Sequence, residues 1–307
     1  MGNRYFALLL FAFLLILGCS PNHSNNGTPD VLRFAVSVND EDPAEARFRM
    51  AGIKNYLEKE LGIKVEIHEL TGYATIIEAF KSKKLEISSL GSFSYVIASE
   101  TSNVEVIACR GTLNGRVEPY HSVIFTTPAT NIRSLIDLAQ NAGRLSLAYG
   151  DPASTSGHLI PRDYLESLEL TNDMFRKTFF TSSHSATFFT VRSGKTDVGC
   201  MSGSALNKLM KEGKVKKEEF VVLWKSPPII NSAIAIRKDL DPAFKRKVQQ
   251  VLTEFRFKDT ANWKKYAQLM AKQTILPYDS LCLIVAHDSM YNDLRRISKR
   301  YNMLRAD

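Results

Sequence analysis

Apolar residues along the chain fall into two alternating rhythms. Val31 to Val38 is a β-branched run that reads as a strand and is broken by Asn39 to Pro43. From about Ala44 to Leu61, Phe48, Ile53, Tyr56, Leu57 and Leu61 recur at helical spacing until Gly62 ends the pattern. Lys64 to Leu70 alternates again, with Val65 and Ile67 on one face. After Thr71-Gly72-Tyr73 the spacing predicts a helix from Ala74 to Lys83 that presents Ile76, Ile77 and Phe80. Leu85 to Leu90 is a third short strand, and Gly91-Ser92-Phe93-Ser94-Tyr95 opens the next helix. Strand, helix, strand, helix, strand describes an open, mostly parallel α/β sheet, whose ligands belong beyond the carboxyl ends of the strands.

The rhythm then repeats. Val104 to Cys109 and Tyr120 to Thr126 are apolar strands on either side of the turn Gly111-Thr112-Leu113-Asn114-Gly115. A second α/β unit follows, with a helix from Ile132 to Ala139, a strand from Ser146 to Tyr149, a segment around Phe179 and Phe180, and a helix from Ala186 to Ser193. The run Thr196 to Cys200 and a strand from Phe220 to Trp224 complete it. Pro227-Pro228 marks a crossing, after which Ile234 to Arg237 returns as a strand. Helices from Pro242 to Phe257 and from Thr260 to Ala271 precede a tail that reaches Arg305. These elements predict one lobe from residues 31–126 plus 226–307 and another from 127–225, with two crossovers forming a hinge over a cleft.

One stretch carries unusual polar chemistry. The strand Ser146-Leu147-Ala148-Tyr149 turns at Gly150-Asp151-Pro152 and passes through Ser154, Thr155 and Ser156 into a helix with apolar residues at Leu159, Tyr164, Leu165 and Leu168. Backbone N–H groups at a helix start, with three hydroxyls beside them, make a seat for a small anion that needs no Lys or Arg. Gly157 lets backbone approach closely there. The same residues also read as an ordinary N-cap with spare hydroxyls, since Ser and Thr are favoured at that position.

The first residues change the address of the protein. Arg4 is followed by an apolar run from Tyr5 to Leu17 and by Ile16-Leu17-Gly18-Cys19, the pattern of a secretory signal cut before an acylated cysteine. Residues 1–18 read as a lipoprotein signal peptide, Cys19 as the lipid attachment site, and residues 19–30, rich in Asn and Ser, as a tether. Only Cys109, Cys200 and Cys282 then remain, an odd number without metal-ligand spacing, which argues against a disulfide framework or a structural zinc site. The formal net charge of +8 falls to +7 once Arg4 is removed. The cations are scattered, and the runs Lys211 to Lys217 and Arg295 to Arg300 read as solvated helix faces or ends. This balance suits an anionic ligand and gives no indication of nucleic acid. His23, His68, His121, His158, His184 and His287 show no spacing for a catalytic metal, and no Gly-x-Ser-x-Gly elbow is present. A hydrolase using a cleft serine with His184 therefore has little to stand on.

Four segments together carry a family likeness: Tyr56-Leu57-Glu58-Lys59-Glu60-Leu61-Gly62; Gly72-Tyr73-Ala74 through Gly91-Ser92-Phe93-Ser94-Tyr95-Val96; Asp151-Pro152-Ala153-Ser154-Thr155-Ser156-Gly157 with Pro161; and Ser183-His184 through Gly194-Lys195-Thr196-Asp197-Val198-Gly199. In this order and spacing the chain resembles the periplasmic phosphonate-, phosphite- and phosphate-binding proteins of ABC transporters. The resemblance implies a two-lobed type II periplasmic binding protein without catalytic residues, metal or cofactor. Such a protein is exported, held to a bacterial membrane by its lipid, and delivers a small oxyanion to an ABC permease. Carried over by position, Ser154, Thr155 and Ser156 would hold the phosphorus-bound oxygens from one lobe. Tyr73 and Tyr95 would reach across from the other, and His184 would sit on the oxyanion.

Two departures bear on the ligand. Relatives that hold an aminoalkyl phosphonate place acidic residues where Ser202 and Ser232 stand here, so the ammonium of 2-aminoethylphosphonate would be poorly compensated. Phosphate, phosphite and methylphosphonate remain. Cys109 is the second departure, because a related branch of arsenite-sensing periplasmic proteins that signal to a membrane histidine kinase carries a single cysteine in this region. A thiolate suits trivalent arsenic, so Cys109 is a candidate arsenite ligand in that alternative.

Overall fold

In the computed structural model, residues 27–38, 43–274 and 276–303 are described. The signal segment, Cys19 and most of the tether lie outside them. The first lobe begins β1 (Val31–Ser37), α1 (Pro43–Leu61), β2 (Lys64–Leu70), α2 (Tyr73–Lys81), β3 (Ile87–Leu90), α3 (Ser92–Thr101) and β4 (Val104–Thr112). The chain then crosses through β5 (Pro119–Tyr120) into β6 (Ser122–Thr126), α4 (Leu135–Asn141), β7 (Ser146–Tyr149), α5 (Ile160–Ser167), β8 (Lys177–Phe180), α6 (His184–Arg192), β9 (Val198–Ser202), α7 (Gly203–Lys211) and β10 (Val221–Lys225). It returns through β11 (Ile229–Ile230) to β12 (Ala233–Arg237), α8 (Pro242–Lys258), α9 (Thr260–Met270), β13 (Leu281–Val285) and α10 (Asn292–Arg300).

The six-stranded sheet of the first lobe has the order β13-β4-β12-β3-β1-β2, and the five-stranded sheet of the second has β10-β6-β9-β7-β8. Both are mixed. β2-β1-β3 and β8-β7-β9 are parallel, as strand–helix alternation demands, whereas β12 runs antiparallel to both β3 and β4, and β6 antiparallel to both β9 and β10. β12 and β6 are the strands that enter a sheet directly after the chain has crossed between lobes, where no helical crossover sets their direction; edge strand β13, which follows α9, also runs antiparallel to its neighbour β4.

The lobe limits differ from the expectation of 31–126 and 127–225. β6 pairs along its length with β9, Ser122 with Ser202 through Thr126 with Val198, so residues 122–126 belong to the second lobe. The crossing occurs at the small antiparallel pair of β5 with β11, where Tyr120 faces Ile229.

Each sheet is covered on both faces. In the first lobe Leu32, Phe34, Ile53, Tyr56, Leu57 and Phe255 pack under α1, α8 and α9, and Ile76, Phe80, Phe93, Tyr95 and Tyr291 pack on the opposite face. In β6, Ile124 faces the core under α4 and α5 while Val123 and Phe125 face the core under α6 and α7, the period of two expected of a buried strand. Phe48, expected on the buried face of α1, is 54% exposed, because the inward row is Ala46, Met50, Ile53 and Leu57. The C-terminal tail supplies edge strand β13 and helix α10. Arg295 there is anchored by Glu100 and Asp288, so this basic run is not merely a solvated face.

Two predicted site residues are core residues of the first lobe. Tyr95 is fully buried, stacks edge-on against Tyr291 with ring centroids 4.7 Å apart, and donates its hydroxyl to Asp288 at 2.6 Å. Cys109 is fully buried in the same cluster, paired across β4 with Ala233 and Ile284, and burial pushes its thiol up to about 12. It therefore offers no thiolate to a cleft ligand, contrary to its candidacy for arsenite.

Two outcomes follow from this packing. A methyl group at Gly199 would meet Val191 Cγ2 at 2.7 Å and Phe125 Cε1 at 2.9 Å, so Gly199→Ala should cost about 1–3 kcal/mol, read as a lower urea midpoint at unchanged slope. Under native conditions near neutral pH, Cys109 should resist iodoacetamide, with or without arsenite, and should react once urea unfolds the chain; mass spectrometry of the peptide reads this directly.

Candidate functional site

The hydroxyl stretch forms a helix start buried between the lobes. Gly150 and Gly157 let two backbone segments touch: the Gly150 N–H donates to the Gly157 carbonyl at 2.8 Å, and a Cβ on Gly157 would meet Gly150 Cα at 3.1 Å and His184 Cε1 at 3.2 Å. The close approach allowed by Gly157 is thus to the chain itself. Ser154 Oγ accepts the Gly157 N–H at 3.0 Å and caps the first turn, Thr155–Leu159, which is wound wide before α5 takes over. His158 is buried against Tyr149 and Phe180, and its Nδ1 bonds the Pro152 carbonyl at 2.7 Å. Burial lowers its pKa to about 4, so the ring stays neutral and donates from Nδ1, holding the turn.

This start meets the start of α3 from the opposite lobe. Thr155 Oγ1 accepts the Phe93 N–H at 2.8 Å, and Ser94 Oγ donates to the Ala153 carbonyl at 2.8 Å. Asp151 accepts the backbone N–H groups of Ala153 and, across the lobes, of Tyr73; burial still raises its pKa above the usual carboxylate value. Ser92 Oγ donates to the Ile230 carbonyl at 2.6 Å and so ties α3 to the crossing. Tyr120 rises from that crossing, and its phenol lies beside the hydroxyls of Thr155, Ser156 and Ser92. Burial raises the phenol's pKa, against the opposing influence of those hydroxyls, so it remains a protonated donor.

Beside this cluster a cavity of about 200 Å³ opens between the lobes. Tyr73, Tyr120, His184, Ser202, Asn231 and Ser232 are among the residues that line it. His184 Nδ1 accepts the Ser202 N–H at 3.3 Å, which in the neutral ring leaves the proton on Nε2. No carboxylate lies among the described residues that line the cavity, whereas Arg49 and Arg110 do. Neutral hydroxyls converging at two helix starts, under a positively biased wall, can surround a compact oxyanion with donors.

Of the residues expected here, Tyr73 and His184 line the cavity, and Thr155 and Ser156 sit in its hydroxyl cluster. Ser154 is engaged as the cap. Tyr95 and Cys109 lie elsewhere. Tyr120 and Ser92 went unnoticed in the sequence, since Tyr120 read as the first residue of a strand; its place next to the crossing, just after Pro119, was the available signal. Ser202 and Ser232, singled out as departures, both face the cavity.

The comparisons with known proteins agree with this fold. The family model described as the periplasmic substrate-binding protein of phosphonate ABC transporters matches residues 36–281. The chain is 28% identical over 250 residues to the phosphonates-binding periplasmic protein of Escherichia coli K12, covering 81% of this chain and 73% of that one. It is 23% identical over 315 residues to the probable ABC transporter phosphite binding protein PhnD1 of Prochlorococcus marinus MIT 9301, covering 99% and 100%. The solved structure of PhnD1 from that organism in complex with methylphosphonate superposes with a TM-score of 0.76 at 21% identity, covering 90% of this chain and 99% of that one. With a two-lobed fold and an interlobe cavity in place, the chain belongs to the periplasmic substrate-binding proteins of phosphonate ABC transporters.

Proposed function

We propose that the protein captures phosphate, phosphite or a small phosphonate between its lobes and presents the closed form to an ABC permease, with no turnover of the ligand. The observation that carries this reading is the gathering of the Tyr120, Thr155 and Ser156 hydroxyls beside the interlobe cavity where two helix starts meet. A tetrahedral oxyanion needs several donors directed at one point, and neutral hydroxyls supply them without creating a tight ion pair that would slow release to a permease. Tyr73 and His184 Nε2 add donors from opposite walls. Relatives named for phosphonates and for phosphite, and a structural neighbour holding methylphosphonate, support the same chemistry. The arsenite-sensing alternative loses its ligand with the burial of Cys109.

Ile16-Leu17-Gly18-Cys19 supports export with lipid attachment at Cys19. Among the described residues no helix is long and apolar enough to cross a membrane.

Calorimetric titration with phosphate, phosphite and methylphosphonate should show binding of at least one. Tyr120→Phe and Ser156→Ala should each weaken it about tenfold or more, consistent with about 1.5–3 kcal/mol for a hydrogen bond to a charged group. Absence of binding to all three, or full affinity in the Tyr120→Phe protein, would refute the reading. Cys19→Ser should move the protein from the membrane fraction to the soluble one.

A further inference from the structure

The oxyanion seat occupies only part of the cleft, and the remainder has a chemistry of its own. Roughly 10–15 Å³ of such space holds one water-sized group, so a five-atom oxyanion leaves much of a cavity of about 200 Å³ for a substituent. Ser202 and Ser232 line the same cavity as hydroxyls, and among the described lining residues there is no Asp or Glu to receive an ammonium.

The cations on this wall are fixed in place. Arg110, on β4, donates from Nε to Glu118 at 2.5 Å and from Nη1 to the Gln273 side-chain oxygen at 3.4 Å. Glu118 is 1% exposed and also accepts from Asn231 Nδ2 at 3.3 Å, so it is an anchor buried behind the guanidinium. The Arg110 side chain is 11% exposed and lines the cleft, and its Nη2 has no hydrogen-bond partner among the described residues. Arg49 brings a second guanidinium from α1, held over the Tyr266 ring at 5.9 Å. A guanidinium locked by a carboxylate on one side keeps planar donors directed elsewhere and loses little side-chain freedom when an acceptor arrives.

We infer that the cleft prefers an oxyanion whose substituent carries a second anionic acceptor, of the class of carboxylated phosphonates, and that Arg110 determines this preference. The inference rests on the oxyanion reading above and deepens it. An aminoalkyl substituent would place its ammonium among hydroxyls and beside two guanidinium groups, with like-charge repulsion and no ion partner on the described walls. A carboxylate there would accept from Arg110 and be attracted by Arg49.

Titration of the full-length protein in mild detergent with phosphonoacetate, methylphosphonate and 2-aminoethylphosphonate tests this. Phosphonoacetate should bind at least tenfold more tightly than methylphosphonate, and 2-aminoethylphosphonate should be the weakest of the three. Removing Arg110 alone would strand the buried Glu118, so the informative protein carries Arg110→Gln with Glu118→Gln, its folding checked by thermal melting. In it the ratio of phosphonoacetate to methylphosphonate affinity should fall toward one. Equal affinities in the unaltered protein would overturn the inference while leaving the oxyanion reading intact. A ratio that survives the paired substitution would overturn the role given to Arg110. Binding of none of the three would overturn the oxyanion reading itself, and the inference with it.

Discussion

The two lobes meet through backbone groups that each helix start leaves unpaired. The N–H of Phe93, at the beginning of α3, has no partner within its own helix and finds one in Thr155 of the opposite lobe; the Ala153 carbonyl is reciprocally taken by Ser94. Asp151 completes the exchange at the start of α2. These bonds are short, buried and mutually dependent on one relative position of the lobes. Each contributes only about 0.5–1.5 kcal/mol net, because in an opened cleft water would satisfy the same groups. Closure is therefore held by a modest surplus, which an oxyanion bound to both walls can enlarge.

A second set of cross-lobe contacts lies on the rim. Lys211, at the end of α7, donates to the Ala271 and Thr274 carbonyls at 2.8 and 2.7 Å, where α9 leaves its last carbonyls unpaired. Lys208 of the same helix and Glu212 just beyond its end meet Glu45 and Lys272 of the first lobe. On another edge Asp163 receives Arg300 and the Tyr301 hydroxyl. Pairs near the surface such as Asp163 with Arg300 contribute little singly, but with the partly buried Lys208 and Glu212 they share one geometry with the hydroxyl contacts and so favour the same lobe arrangement. The basic run from Lys211 is thus an interlobe strut at its first residue rather than a uniformly solvated face.

Much of this was readable before any coordinates. The alternation of periods placed β1 to β3 with their helices, and Gly150-Asp151-Pro152 with its three hydroxyls located the helix start that faces the other lobe. Short-range patterning does not report what happens after the chain leaves a lobe and returns. That is why β6 seemed to belong to the first lobe and why the antiparallel insertion of β12 was not foreseen. Tyr95 and Tyr120 show the same limit at the site. Both are tyrosines beside polar turns, and only the packing of α3 against α10 sends the first into the core, while the bend at the crossing turns the second toward Thr155 and Ser156. Cys109 sits in a strand that is interior to its sheet because β13 pairs along one edge of it and β12 along the other, and the apolar run Leu281 to Val285 that forms β13 does not reveal its partner from the sequence.

The central claim is that the oxyanion is held where the two helix starts meet. A crystal structure of the protein with methylphosphonate tests it most directly. The account predicts phosphonate oxygens within hydrogen-bonding distance of the Tyr120, Thr155 and Ser156 side chains, with both lobes contributing donors. A phosphonate bound on one lobe alone, or at a position remote from those hydroxyls, would contradict it.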